Sequence, residues 1–237
     1  MTILSIVQNA SKRVGLDAPA SVIGNAAGNV VRMLALANEE GRSLLDRHRW
    51  QSVVKEATFT TVGTTSQGTL ATLTGVSDIG SILNDTLWNR DSNTPVYPID
   101  AIGWQQMLAS TTTGPYPRWR LRGNTVLMYP TPTAGETIAF EYKSKNWCES
   151  SGGDGQTAWA ADTDVGILDE GLMEEGLVWR WKSAMGFGYG EDFRRYEQLV
   201  ANAIARDRPR RRITLGSGSG VRFLGQRSVA EGGWTFS

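Results

Sequence analysis

The sequence predicts an α+β fold: a helical domain carrying a β-rich antiparallel insertion, followed by an extended C-terminal arm. Three observations predict it. Apolar residues recur at helical spacing near both ends of the segment that precedes Asp207. β-branched and aromatic residues alternate in its middle, and both periods stop at about Asp207. The expected boundaries are 1–50 and 165–206 for the helical domain (an N-terminal helix pair plus C-terminal helices), 51–164 for the insertion and 207–237 for the arm.

The first helix is set by Ile3, Ile6, Val7, Ala10 and Val14, with Thr2 as cap and Gly15 as terminator. Pro19, Gly24 and Asn25 mark a loop. A longer helix is expected from about Ala26 to Arg49, with a stripe of Val30, Leu34, Ala37, Leu44 and His48 and with Gly41 in line. Arg32, Glu39, Glu40, Arg42 and Asp46 fall outside that stripe, and the short link suggests an antiparallel pair.

After Trp50 the period changes. VVKEATFTTV and TLATLT read as two strands separated by the turn GTTSQG, and ILNDTLWNR as a further strand. Pro98 suits the first turn of a short helix, PIDAIGWQQMLAS. RWRLR, Gly123-Asn124 and TVLMY form a hairpin. TPTAG then turns the chain into ETIAFEYKSK, where Ile138, Phe140 and Tyr142 share a face. Residues 150–166 read as a Gly- and Asp-rich loop. The segment ILDEGLMEEGLVWRWKSAM is a helix with acids first and Arg180 and Lys182 last, as the helix dipole favours. GFGYG breaks it, and a last helix turns Phe193, Tyr196, Leu199, Val200, Ala203 and Ile204 inward.

Composition narrows function. The chain has 237 residues, 24 Lys plus Arg against 24 Asp plus Glu, and 40% hydrophobic residues, so it folds and its surface as a whole does not grip nucleic acid or anionic lipid. The single cysteine, Cys148, leaves no intrachain disulfide framework and no thiolate metal cage. The polar start MTILSIVQNASKR is unlike a signal peptide and no apolar run reaches membrane-spanning length, so synthesis in a cytoplasm is expected.

Catalytic chemistry has few candidates. His48 is the only histidine, and its place at a helix end suits a dipole role better than a general base. Nothing beside Cys148 would activate its thiol. Asp162, Asp164 and Gly166 resemble part of a calcium loop, but Ile167 and Met173 stand where glycine and a bidentate glutamate are needed. Glu170, Glu174 and Glu175 could supply a carboxylate pair, although helical spacing makes solvated surface the simpler account. GFGYG lacks the spacing of a phosphate loop. The expectation is therefore no catalytic residue, no cofactor and no metal. Among nine tryptophans, Trp88, Trp104, Trp119, Trp147 and Trp159 fall in or near the β-rich part, as core, interface or, less simply, sugar platform. Gly171 and Gly176 inside a helix imply close packing against them.

The arm is the most pointed feature. Arg206, Arg208, Arg210, Arg211, Arg212, Arg222 and Arg227 face only Asp207 and Glu231, and a GSGSG hinge interrupts them. Val221, Phe223, Leu224, Trp234 and Phe236 supply apolar anchors. Anchors alternating with cations suit a segment that orders on a partner protein, with nucleic-acid phosphate as the rival target for RPRRR.

ILSIVQNASKRVGLDAPASVIGN, VVRMLALANEEGRSLLDRHRWQSVVKEATFTT, LWNRD, RLRGNTVLMYPTPTAGETIAFEYKSKNWC, ADTD and LDEGL occur in that order. This string resembles the head-to-tail adaptor (connector) proteins of short-tailed, podovirus-like phages, from the N-terminus to about residue 205. The resemblance implies a structural virion protein of the tail and neck and not an enzyme. It implies a ring, twelve-fold, between the portal protein and the tail nozzle and tail fibre proteins, with DNA passing unread through its lumen. It also implies that a C-terminal arm docks on the portal, which makes Arg208, Arg210, Arg211, Arg212, Arg222, Phe223, Trp234 and Phe236 the expected contacts. The rival functions are a virion-associated peptidoglycan hydrolase and a glycan-binding tail component.

Overall fold

A computed structural model describes residues 1–109 and 116–207. The fold is α+β, and Met1–Asp207 form one compact unit. Helix α1 (Ile3–Arg13) begins where Thr2 Oγ1 accepts the Ser5 N–H at 3.4 Å. It ends at Gly15, whose φ of 77° is the left-handed conformation that closes a helix. Helix α2 (Gly28–Arg47) is shorter at both ends than its sequence pattern, because Ala27 offers no side-chain cap and His48 is already extended. Its buried line is Val30, Met33, Ala37, Glu40, Gly41, Leu44 and Leu45. Glu40, expected outside the stripe, is instead wholly buried, held there by partners on two other helices.

Strand β1 (Val54–Thr60) follows as expected, but the next segment differs. β2 is Ser66–Thr69, three of its four residues in the expected turn, and Leu70–Thr74 of TLATLT form helix α3 instead of a strand. Local capping outweighs the β-branched composition: Thr69 Oγ1 accepts the Thr72 N–H, and Gly75 closes the helix at a φ of 68°. ILNDTLWNR is divided among β3 (Ile79–Ile82), a 3₁₀ turn at Asn84–Thr86 and β4 (Trp88–Asn89). Then come β5 (Thr94–Pro95) and β6 (Tyr97–Pro98), so Pro98 lies in a strand. Helix α4 (Ala101–Ala109) starts later, with Asp100 Oδ1 accepting the Gly103 N–H at 2.8 Å.

The hairpin β7 (Arg118–Arg122) and β8 (Thr125–Tyr129) turns at Gly123, φ 57°, as the sequence indicates. β9 (Thr137–Ser144) does not extend that hairpin. It crosses to a second sheet, where it pairs with β1 in register Ala57↔Phe140, and with β3 and β4. One sheet runs β1-β9-β4-β5 with β3 also on β9; the other runs β2-β8-β7-β6. Both turn their apolar faces into one cluster, Ala57, Phe59, Ile138, Phe140 and Tyr142 from the first and Trp119, Val126 and Met128 from the second.

The Gly- and Asp-rich loop holds a small third sheet, with β10 (Cys148–Glu149) between β11 (Gly155–Gln156) and β12 (Val165–Gly166). Helix α5 (Glu170–Ala184) is capped by Asp169 Oδ1 on the Gly171 and Leu172 N–H groups. It is buried around most of its circumference because α1, α2 and α6 (Gly190–Asp207) all pack on it. Trp147, Cys148 and Trp159 belong to this helical core.

Candidate functional site

The sequence-derived chemical candidates are engaged in structure. His48 Nε2 lies 3.1 Å from Asp207 Oδ2, and the same carboxylate accepts the Gln51 N–H. This contact fastens the end of α6 to the end of α2. Cys148 is buried, and burial followed by the nearby Asp164 charge pushes its thiol up to about 12.

Asp162 and Asp164 act as backbone clamps. Asp162 Oδ1 accepts the Val22 and Ile23 N–H groups at 2.9 and 2.7 Å, and Asp164 Oδ2 those of Ala160 and Ala161 at 2.7 and 2.9 Å. Among the described residues no group of acidic, histidine or cysteine side chains is arranged to hold a metal ion. Glu170 pairs with the N-terminal amine, Glu174 with Arg13 at 3.3 Å, and Glu175 with Arg13 at 2.8 Å and Arg195 at 3.2 Å. Those three acids therefore tie α1 and α6 to α5. Arg180, expected to serve the helix dipole, instead pairs with Glu39 and Glu40 on α2.

Trp104, Trp119, Trp147 and Trp159 are all buried and present no open ring face to a sugar. Trp88 is half-buried, with its N–H donated to Asn93 Oδ1 at 3.2 Å. A groove of about 510 Å³ lies between Arg47 and the α6 residues Phe193, Glu197, Val200, Ala201 and Ile204. It is open, and its two charges neutralise each other in a 2.6 Å ion pair. Among the described residues no helix is long and apolar enough to cross a membrane.

Two surfaces stand out that the sequence reading passed over. On β7, Arg118, Arg120 and Arg122 alternate with the core-facing Trp119 and with Leu121, so the three share the outer face of their sheet, Arg122 exposed and Arg118 and Arg120 half-buried. None of the three joins an ion pair among the described residues; Arg118 instead lies over the Tyr97 ring at 5.2 Å. Tyr97 and Tyr116 meet edge to face beside it, and α4 is held by buried Trp104 against Tyr129 while Ile102 and Leu108 stay exposed. The second surface is the outer face of the other sheet, where Glu56 of β1 stands directly opposite Glu141 of β9. The period of two in RWRLR was the available signal for the first; the second depended on a strand pairing that sequence does not print.

Arg208, Arg210, Arg211, Arg212, Arg222, Phe223, Trp234 and Phe236 lie outside the described residues. The model of the SU10 adaptor protein family matches residues 1–222. That span exceeds the resemblance legible in the motifs and includes the five candidate arginines, but not Phe223, Trp234 or Phe236. No curated protein matches the chain.

Proposed function

The chain belongs to the SU10 adaptor protein family, and from that premise we propose that it is the head-to-tail adaptor of a phage virion, a ring between the portal and the tail nozzle and fibres. The family is one of structural proteins of the virion neck, which interact with other virion components such as portal and tail proteins. In the proposed ring, twelve copies surround a lumen through which DNA passes without being read. A heterologous contact repeated by rotation closes such a ring. The observation that carries the proposal is the family match over residues 1–222, which spans the helices, both larger sheets and the first part of the arm.

The arm, from Arg208 onward, is proposed to dock on the portal, with Arg208, Arg210, Arg211, Arg212 and Arg222 pairing with carboxylates and Phe223, Trp234 and Phe236 as anchors. The Asp207 contacts with His48 and Gln51 support this role, since a segment leaving a fixed point loses less freedom when it binds.

Electron microscopy of the full chain mixed with its phage's portal, with and without residues 208–237, tests both parts. A ring stacked on the portal by the full chain alone is the expected result. A full chain that ignores the portal defeats the adaptor role, and a truncated chain that docks equally well defeats the role of the arm.

A further inference from the structure

We infer that successive copies of this chain meet through the β-rich region, the arginine face of β7 on one copy seating on the Glu56–Glu141 face of the next. The inference rests on the ring proposed above and names the surfaces that would close it.

The arginine face has the composition of a protein-binding surface. Arg118, Arg120 and Arg122 recur every second residue along β7, about 7 Å apart at strand spacing. Tyr97 and Tyr116 lie beside Arg118, and α4, anchored against Tyr129 of the same sheet by one tryptophan, leaves Leu108 and Ile102 exposed, the latter to 68%. Arginine and tyrosine with exposed aliphatic groups are what buried interface centres favour. A phosphate backbone would use the guanidinium groups but leave the aliphatic side chains in water, since nucleic-acid interfaces are more polar. Charge and apolar area together favour a protein with carboxylates.

The chain itself carries such carboxylates. Glu56 and Glu141 are exposed cross-strand neighbours, a placement in which like charges repel. Exposed Asp85 belongs to the turn whose Thr86 Oγ1 accepts the Glu141 N–H at 3.0 Å. Among the described residues Arg90, 2.7 Å from Glu56, is the single cation in an ion pair with this group, while Lys143, two residues from Glu141 on the same face of β9, turns its amine to the Leu45 carbonyl oxygen. Half-buried Trp88 pairs with Ala139 two residues from Glu141 and offers an apolar neighbour.

The two sheets share one apolar cluster, so their outer faces point away from each other. A basic face and an acidic face directed apart on a chain of zero net charge suit a head-to-tail contact, in which each copy gives one face and receives the other.

A charge-swap experiment on full-length protein, scored as rings on purified portal, tests this. Arg120→Glu/Arg122→Glu and Glu56→Lys/Glu141→Lys should each lose ring formation at least tenfold. Mixed in equal amounts, the two variants should recover rings in which they alternate. A second readout is an Arg122→Cys/Glu141→Cys chain, expected to give a ladder of disulfide-linked oligomers on a non-reducing gel. Rings from either swapped variant alone, an equal mixture that stays unassembled, or no ladder from assembled rings would each overturn the inference while leaving the adaptor role standing. Arginine variants that lose only binding to duplex DNA would overturn it too. Wild-type protein that forms no ring on the portal removes the adaptor role and this contact together.

Discussion

The carboxylate of Glu40 on α2 occupies the space beside Gly176 on α5 where a side chain would otherwise stand. A methyl group at position 176 would overlap the Glu40 carboxyl, which is fixed by Arg180 Nε at 2.6 Å and by the Tyr196 hydroxyl. Gly176→Ala should therefore destabilise the fold. Overpacking costs about 1–3 kcal/mol, and the better helix propensity of alanine returns up to about 1 kcal/mol. Urea denaturation should show a net loss of about 1–2 kcal/mol. Gly171, whose added carbon would meet only its own cap Asp169, should lose less.

Removing Arg180 probes the same cluster from the other side. The Glu40 side chain has no exposed surface and that of Arg180 is 12% exposed, so Arg180→Met strands a buried carboxylate. A loss of about 3–5 kcal/mol is expected. Glu40→Gln/Arg180→Met should cost less than the two single changes added, because no charge is then left unpaired. Additive losses in the double-mutant cycle would show that the pair does not act as a unit.

Much of this molecule was legible in its sequence, and the misses have physical causes. Thr2, Gly15, the Gly123 turn and the α5 and α6 patterns all read correctly, because capping and helical period are local. Leu70–Thr74 misled because strand composition there is overruled by a threonine cap and Gly75. Glu40 misled because its burial depends on Arg180 and Tyr196, 140 and 156 residues away. Pairing of β9 with β1 instead of β8 is likewise non-local, and with it the Glu56–Glu141 face. Gly176 announced a close approach, but the sequence does not say to what.

Asp78 should make stability depend on acid pH. Burial raises its pKa, but hydrogen bonds from the Ser144 hydroxyl at 2.7 Å, Lys55 at 3.0 Å and the Tyr142 hydroxyl at 2.9 Å outweigh this and hold it below the ordinary value. The unfolded chain then binds the proton more readily, so this contribution is complete above the unfolded-state value and is lost as pH falls through the folded-state value. Asp78→Asn should cost about 1–3 kcal/mol at neutral pH through its unmet donors. It should also flatten the acid limb of a stability-versus-pH curve, and an unchanged limb would assign the acid sensitivity to other carboxylates.

Cys148 supplies the last expectation. Its Sγ–H points to the Gln156 carbonyl oxygen at 3.4 Å within the helical core, and burial with the Asp164 charge keeps the thiol protonated until about pH 12. Thiolate, not thiol, attacks an aromatic disulfide reagent, and here both ionisation and access are withheld. At pH 8 the folded chain should react at the rate of its global or local opening, at least a hundredfold below the denatured chain. The reaction should accelerate in Gly41→Ala, because a side chain at position 41 would overlap the Trp147 ring, adjacent in sequence to Cys148 and on the same core. Equal rates for folded wild type and Gly41→Ala would mean that the Trp147 contact does not control opening around the thiol.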